Sequence, residues 1–256
     1  MKRTRLPSER HRAAPRFGIA RVLSKRGVCS RTQAQALVRE GRVSVDGRVI
    51  RDPEFPVDDG AAIALDGKPI AAAEKVYIAL NKPRGVVTTA SDERDRKTVY
   101  DVLREADFAL DAWIAPVGRL DKASEGLLLL SNDSAWSAAL TDPASHLDKT
   151  YHVQIDAIPD AALLKKLRGG ADVDGVRLTA KSIEVLRSGE KNAWLEIVLD
   201  EGRNRHIRKL LAAHDIGVLR LIRVAIGPLP LGDLAKGRWR ALTPAEIAAL
   251  GDHVME

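Results

Sequence analysis

Cysteine is almost absent from this sequence. The 256 residues include one, Cys29, which cannot close an internal disulfide, and no group of His and Cys has the spacing of a zinc site. Both absences fit a reducing compartment and a chain without a structural metal. No apolar run approaches the ~18 residues that a membrane span needs, so none of the chain is expected to cross a bilayer. The phosphate-cradling patterns GxxxxGK[ST] and GxGxxG are missing, which removes support for nucleotide hydrolysis and for a dinucleotide cofactor. There is no G-x-S-x-G elbow, no internal repeat and no low-complexity segment. With 45% apolar and 30% charged residues, the composition is that of a folded chain with a core, which excludes the disordered and fibrous classes.

What is present in excess is positive charge, and it is unevenly placed. Of the formal net charge of +6, the first 75 residues hold 16 Lys and Arg against 9 Asp and Glu, while the remainder is close to neutral with 25 against 26. Lys2, Arg3, Arg5, Arg10, Arg12 and Arg16 face only Glu9 in the first sixteen residues, and no apolar stretch makes them a secretory signal. A flexible basic arm over 1–15, suited to polyanions, is the expectation, with an Arg-rich transit peptide as the rival reading.

After the arm, Ile19, Val22 and Leu23 fall on one helical face that Gly27 ends. Ser30 and Gln33 form a capping-box pattern ahead of a helix over Arg31 to Glu40 that buries Ala34, Leu37 and Val38 and stops at Gly41. Val43, Val45 and Val49 flank the turn pair Asp46-Gly47, a hairpin signal. Two helices and a hairpin make a small module over 16–70, followed by a linker at 71–75. From 76 to 256 strand and helix signals alternate: a strand over Val76 to Leu80, a helix capped by Thr98, a fully apolar strand over Gly126 to Ser131, strands over Tyr151 to Ile155 and Ala193 to Leu199, a helix over Arg203 to His214 with Ile207, Leu210 and Leu211 inward, and a last helix capped by Thr243 with Pro244 at its first position. The fold class expected is α+β, a helix-helix-hairpin domain followed by a mixed, largely antiparallel sheet.

Three features carry possible chemistry. Asp121 lies in the short loop Gly118-Arg119-Leu120-Asp121, between a strand and a buried strand, and reads either as a turn Asp bonded to local amides or as a nucleophile or base at the end of a rigid sheet. Arg203, Arg205, Arg208 and Lys209 crowd the start of a helix, where the dipole prefers negative charge, so an external anion or a carboxylate is called for; Arg220 and Arg223 could extend the patch. Tyr151 opens a strand and serves either sheet packing or stacking on a flat base.

The run Gly118-Arg119-Leu120-Asp121-Lys122-Ala123-Ser124-Glu125-Gly126-Leu127-Leu128-Leu129-Leu130, followed by Asn132-Asp133, resembles the GRLDxxTxGLLLLTND signature of bacterial ribosomal RNA pseudouridine synthases of the RsuA/RluB type. Lys82-Pro83-Arg84-Gly85, Lys149-Thr150-Tyr151 and Glu201 to Lys209 match further blocks in order, and Arg16 to Gly47 resembles the small RNA-binding module that these enzymes share with a ribosomal protein. The resemblance implies cofactor-free and metal-free isomerisation of a uridine in ribosomal RNA, with large-subunit RNA favoured over small-subunit RNA. By position, Asp121 matches the essential aspartate, Tyr151 the tyrosine that stacks on the target base, and Arg208 the basic residue that pairs with the aspartate. Arg119, Arg203 and Arg205 are assigned to phosphate or substrate-loop contacts, and Lys25, Arg26, Arg31 and Arg42 to phosphates around the small module. The partner implied is ribosomal RNA or a pre-ribosomal particle, met by a cytoplasmic monomer. His206 stands where the family usually has Gln, Ser124 where Thr is common and Ser134 where Gly is frequent; none of the three is Asp121, Tyr151 or Arg208. The alternative from another class is a non-catalytic RNA-binding or ribosome-assembly factor, and an RNA methyltransferase lacks the glycine-rich nucleoside loop that it would need.

Overall fold

The computed structural model describes residues 17–252 apart from 59, 72, 90, 91, 93 and 110–112, so the basic arm and Arg16 lie outside the described residues. Contacts divide the chain into two compact units, with the break between Ala73 and Glu74.

The first unit runs β1 (Phe17–Gly18), α1 (Ile19–Lys25), α2 (Arg31–Arg39), β2 (Val43–Val45), β3 (Arg48–Ile50), β4 (Pro56–Val57), β5 (Ile63–Leu65) and β6 (Lys68–Pro69). The capping box forms as the sequence predicts: Gln33 N donates to Ser30 Oγ (3.2 Å) and Ser30 N to Gln33 Oε1 (3.0 Å). Asp46 and Gly47 both take positive φ (49° and 80°), the backbone of a two-residue hairpin turn. The register decides which residues of the hairpin face the core. Residues opposite each other across an antiparallel pair share a face, and the register pairs Val43 with Ile50 and Val45 with Arg48, so Ile50 enters the core and Val49 is 55% exposed. Ile19, Leu23, Ala34, Val38, Val43, Ile50 and Ile63 make that core, with Leu37 only partly buried against it.

The second unit contains β7 (Tyr77–Lys82), α3 (Val99–Glu105), β8 (Ala115–Val117), β9 (Glu125–Ser131), α4 (Ser134–Thr141), β10 (Lys149–Ile155), α5 (Ala161–Arg168), β11 (Ala171–Val173), β12 (Val176–Leu178), β13 (Ser182–Ser188), β14 (Ala193–Leu199), α6 (His206–Ala212), β15 (Val218–Ile226), β16 (Leu229–Pro230), β17 (Trp239–Ala241) and α7 (Pro244–Asp252). Nine strands form one sheet, in the order β13-β14-β10-β15-β9-β7-β17, with β16 beside β15 and β8 beside β9. Every pairing is antiparallel except β9 with β15, so the sheet is mixed and largely antiparallel.

All seven residues of β9 are buried, because both faces are covered. Leu128 and Leu130 pack with Ile78, Leu80, Val99 and Leu103; Leu127 and Leu129 pack with Ala79, Leu140, Ile226 and Leu250. Toward the other edge, Val153, Ile155, Leu195 and Ile197 are covered by Leu167 of α5 and by Ile207, Leu210 and Leu211 of α6. At the parallel joint Gly126 (φ 103°) lies opposite Arg223, and a Cβ there would overlap the Arg223 carbonyl oxygen and amide nitrogen.

Helix α6 begins three residues later than the charge pattern suggests. Arg205 takes a left-handed conformation (φ 53°, ψ 31°), which cannot continue a helix, so Arg203 and Asn204 belong to a turn and Lys209 falls in the last helical turn, paired with Asp174 (3.0 Å). The expected clash of four cations with the helix dipole is thus largely avoided.

Candidate active site

One cleft of about 560 Å³ in the second unit gathers residues from distant parts of the chain: the Val117 to Asp121 loop, the end of α4, the starts of β10 and α6, and β15. Asp121, Tyr151, Arg208, Arg119, Arg203 and Arg205 all line it. Charged groups 87 residues apart in sequence therefore meet at one place because β9, β15 and β10 are sheet neighbours.

The loop that carries Asp121 is clamped from outside. Five successive backbone carbonyls each accept a hydrogen bond from elsewhere in the unit. Thr88 Oγ1 donates to Leu120 O (2.8 Å), Lys82 Nζ to Asp121 O (3.1 Å), Gly85 N to Lys122 O (2.7 Å), Arg208 Nη2 to Ala123 O (3.1 Å) and Lys82 Nζ again to Ser124 O (2.7 Å). An irregular loop held in this way has little freedom left. The Asp121 carboxylate, by contrast, has no hydrogen bond or ion pair among the described residues, so the reading of it as a turn Asp bonded to local amides is not what the structure has.

Lys82 is the residue that the sequence reading passed over. Its side chain is fully buried at the end of β7, with the ammonium under the loop; a third bond reaches Pro83 O (3.1 Å). Burial pulls its pKa down to about 8, against the opposing fields of Asp121 and Glu125. The visible signal was its place at the end of an apolar strand just before a Pro-Arg-Gly turn.

Arg208 does not pair directly with Asp121: among the described residues no ion pair joins them, and its guanidinium donates to Ala123 O and Val218 O (3.4 Å). It holds the loop two residues beyond the carboxylate and the first residue of β15. Burial lowers its pKa, while the Asp121 charge works in the other direction. Tyr151 sits on β10 between Ile197 of β14 and Arg223 of β15 and packs against two core clusters, which fixes its ring at the cleft. Arg119 and Arg205 are exposed; Arg203 is exposed and bonds Glu201 (2.6 Å).

Two of the three departures are buried. His206 is 3% exposed with Nδ1 3.2 Å from Glu201, and burial lowers its pKa; Ser124 is 1% exposed with its hydroxyl unpartnered among the described residues. Asn132 and Asp133 of the signature do structural work: Asn132 Oδ1 accepts from Val76 N, and Asp133 caps α4 and pairs with Lys75 (2.6 Å).

The four cations of the first unit differ in availability. Arg26 donates to the carbonyls of Ile70 (3.2 Å) and Ala61 (3.4 Å), and Arg42 forms a two-pronged pair with Asp66 (2.9 and 2.6 Å) that raises its pKa. Lys25 lies over the Phe17 ring at 4.4 Å, and among the described residues Arg31 makes a loose pair with Glu54 (3.6 Å).

Residues 76–213 match the family described as RNA pseudouridylate synthase, and residues 18–63 match the S4 domain. An RNA pseudouridine synthase of Aquifex aeolicus, described as uncharacterized, is 37% identical over 91% of this chain and 92% of its own. The ribosomal large subunit pseudouridine synthase B of Bacillus subtilis is 34% identical, covering 92% of this chain and 97% of its own. A crystal structure of a pseudouridylate synthase superposes with a TM-score of 0.61 at 25% identity, covering 91% of this chain and 99% of that one. Likeness at this level runs through both units and includes the clamped loop, so the chain belongs to the RNA pseudouridine synthases, isomerases of RNA, and carries an S4 domain on its N-terminal side.

Proposed function

We propose that the protein isomerises a uridine of ribosomal RNA, large-subunit RNA in preference to small-subunit RNA, and that Asp121 is the carboxylate that does it. The observation that carries this is the Asp121 loop, with five successive carbonyls clamped and its carboxylate left free in the cleft. The large-subunit choice is supported by the likeness to the large-subunit enzyme of Bacillus subtilis.

The chemistry requires an anionic carboxylate and a retained base. Lys82 beneath the loop and Arg208 beside it hold its backbone and leave the Asp121 carboxylate untied. A carboxylate in that state divides the breaking and remaking of a glycosidic bond into smaller steps. Tyr151 offers its ring to a uracil taken out of the RNA stack. Arg119, Arg203 and Arg205, exposed along the cleft, take phosphates of the surrounding strand. In the first unit, residues 16–70 bind flanking RNA through Lys25 and Arg31, with Arg26 and Arg42 also serving the unit's own fold; 71–75 link it to the catalytic residues 76–256. The protein acts as a monomer in the cytoplasm.

The test is release of tritium from ribosomal RNA labelled at carbon five of uridine, taken from cells lacking the gene. Wild-type protein releases it and Asp121→Asn does not while still binding RNA; full release by that variant would remove Asp121 from its role. Carbodiimide mapping of large- and small-subunit RNA from the same cells identifies the uridine. RNA binding with no tritium release by the wild type is the signature of the non-catalytic alternative.

A further inference from the structure

Arg223 is 6% exposed, on β15 at the cleft. Its Nε donates to the Leu127 carbonyl (2.7 Å), and its Nη2, out of reach of solvent, has no acceptor among the described residues. A buried guanidinium with an unmatched N–H is unfavourable, and where such a group persists at the wall of a catalytic cleft a ligand acceptor is the natural complement. Two more cations lie within its field. Burial, reinforced by Arg223, lowers the pKa of Lys149, and Arg223 also works against the charge of Lys82. The nearby Glu125 is already bound by Arg220 and Lys236, both at 2.6 Å. Arg223 and Lys149 thus line the cleft with no ion pair among the described residues.

The register fixes what that charge faces. Tyr151 and Arg223 are directly opposed on β10 and β15, so their side chains are neighbours, one able to cover the face of a planar base and the other to reach its edge.

We propose that Arg223 is a further catalytic residue, whose guanidinium donates to a carbonyl oxygen of the uracil lying against Tyr151 and stabilises the anion that uracil becomes when it leaves the ribose. In that step the bond between ribose C1′ and uracil N1 breaks, and its electron pair goes to N1 and spreads to the ring carbonyl oxygens. Asp121 supplies the sugar with a compensating pair, by bonding C1′ or by taking the C2′ proton, and that change is reversed when C5 of the turned ring gives its pair to C1′. Loss of the C5 proton to solvent and uptake of a proton at N1 complete the exchange, with no net oxidation. Donors aimed at charge that develops only in the transition state act chiefly on rate.

This rests on Asp121 and Tyr151 working as proposed above, and the test separates the two. Single-turnover tritium release is measured with ribosomal RNA from the deletion strain, alongside RNA half-saturation and thermal unfolding, for Arg223→Gln, Arg223→Lys and Asp121→Asn. Gln keeps a donor for Leu127 and loses the charge; Lys keeps the charge. The expected result is a rate loss of ~10²-fold for Arg223→Gln with half-saturation within about threefold, and a smaller loss of about tenfold for Arg223→Lys. A rate for Arg223→Gln within about fivefold of wild type overturns the proposal, as does a loss confined to half-saturation, which marks a phosphate contact instead. An active Asp121→Asn sinks the parent reading; an inactive one beside a fast Arg223→Gln sinks only this one.

Discussion

Replacing Lys82 by Met tests whether the buried ammonium that clamps the Asp121 loop is required for activity. At neutral pH the wild type holds a buried ammonium whose pKa is about 8, against 10.5 when free, a penalty of about 3 kcal/mol that Met relieves. In exchange, the carbonyls of Pro83, Asp121 and Ser124 lose their donor. At about 1 kcal/mol each these losses balance the relief, and at about 2 each they exceed it by ~3 kcal/mol. The fold should therefore survive with a net loss between about 0 and 3 kcal/mol. Activity should fall much further, ~10²-fold, because two of the five loop clamps are gone and displacements near 1 Å are enough for such losses. Thermal unfolding and single-turnover tritium release on the same preparation measure the two. The pH dependence adds a sign: the unfolded chain binds more protons than the native one between about 8 and 10.5, so this group makes stability rise with pH in that window. Wild-type activity falls over the same range, since a neutral amine has two protons for three carbonyls. A well-folded Lys82→Met that releases tritium within about threefold of wild type would refute the clamp.

Other outcomes follow from the same geometry. Gly126→Ala forces a side chain into a left-handed residue and into the Arg223 backbone, and should lower stability by about 3 kcal/mol and the melting temperature by ~10 °C in calorimetry. Burial pushes the Glu125 carboxyl up, but its pairs with Arg220 and Lys236 outweigh this and hold it at about 2. Its contribution is present above the ordinary 4.5 and is lost as pH falls from there toward 2, so urea unfolding of Glu125→Gln should show a flatter acid limb than wild type. Lys25→Ala and Arg31→Ala should each reduce the salt slope of RNA binding by about 0.9. Arg26→Ala should instead lower the melting temperature, through the lost bonds to Ile70 and Ala61; an unchanged melting temperature would remove it from the fold's support.

Local signals were the legible ones. The capping pairs at Ser30, Thr98 and Thr243 are present as hydrogen bonds, since a cap depends on residues three apart, and the apolar run of β9 gave its burial on both faces directly. What escaped depends on distant partners. The Asp46-Gly47 turn marks the hairpin, but which residue of its second strand enters the core, Ile50 and not Val49, depends on the cross-strand register. Lys82 and Glu125 are charged, and a charged side chain is buried only where acceptors or counter-ions from far along the chain await it, as Ser124, Arg220 and Lys236 do here. The start of α6 was placed early because nothing local marks Arg205 as left-handed. Of the site, the residue types were visible, while the loop's clamping and the indirect position of Arg208 were not.

The two-residue parallel joint between β9 and β15 governs when the enzyme comes into being. It unites segments 97 residues apart, and Arg223 reaches Leu127 across it, so the cleft has its floor only after the chain is made through β15. During synthesis the S4 unit and the β7-β8-β9 portion can fold early from local contacts, but a ribosome-bound chain stalled before residue 218 would have its S4 unit and no complete catalytic cleft. Binding thus matures before chemistry on each new molecule.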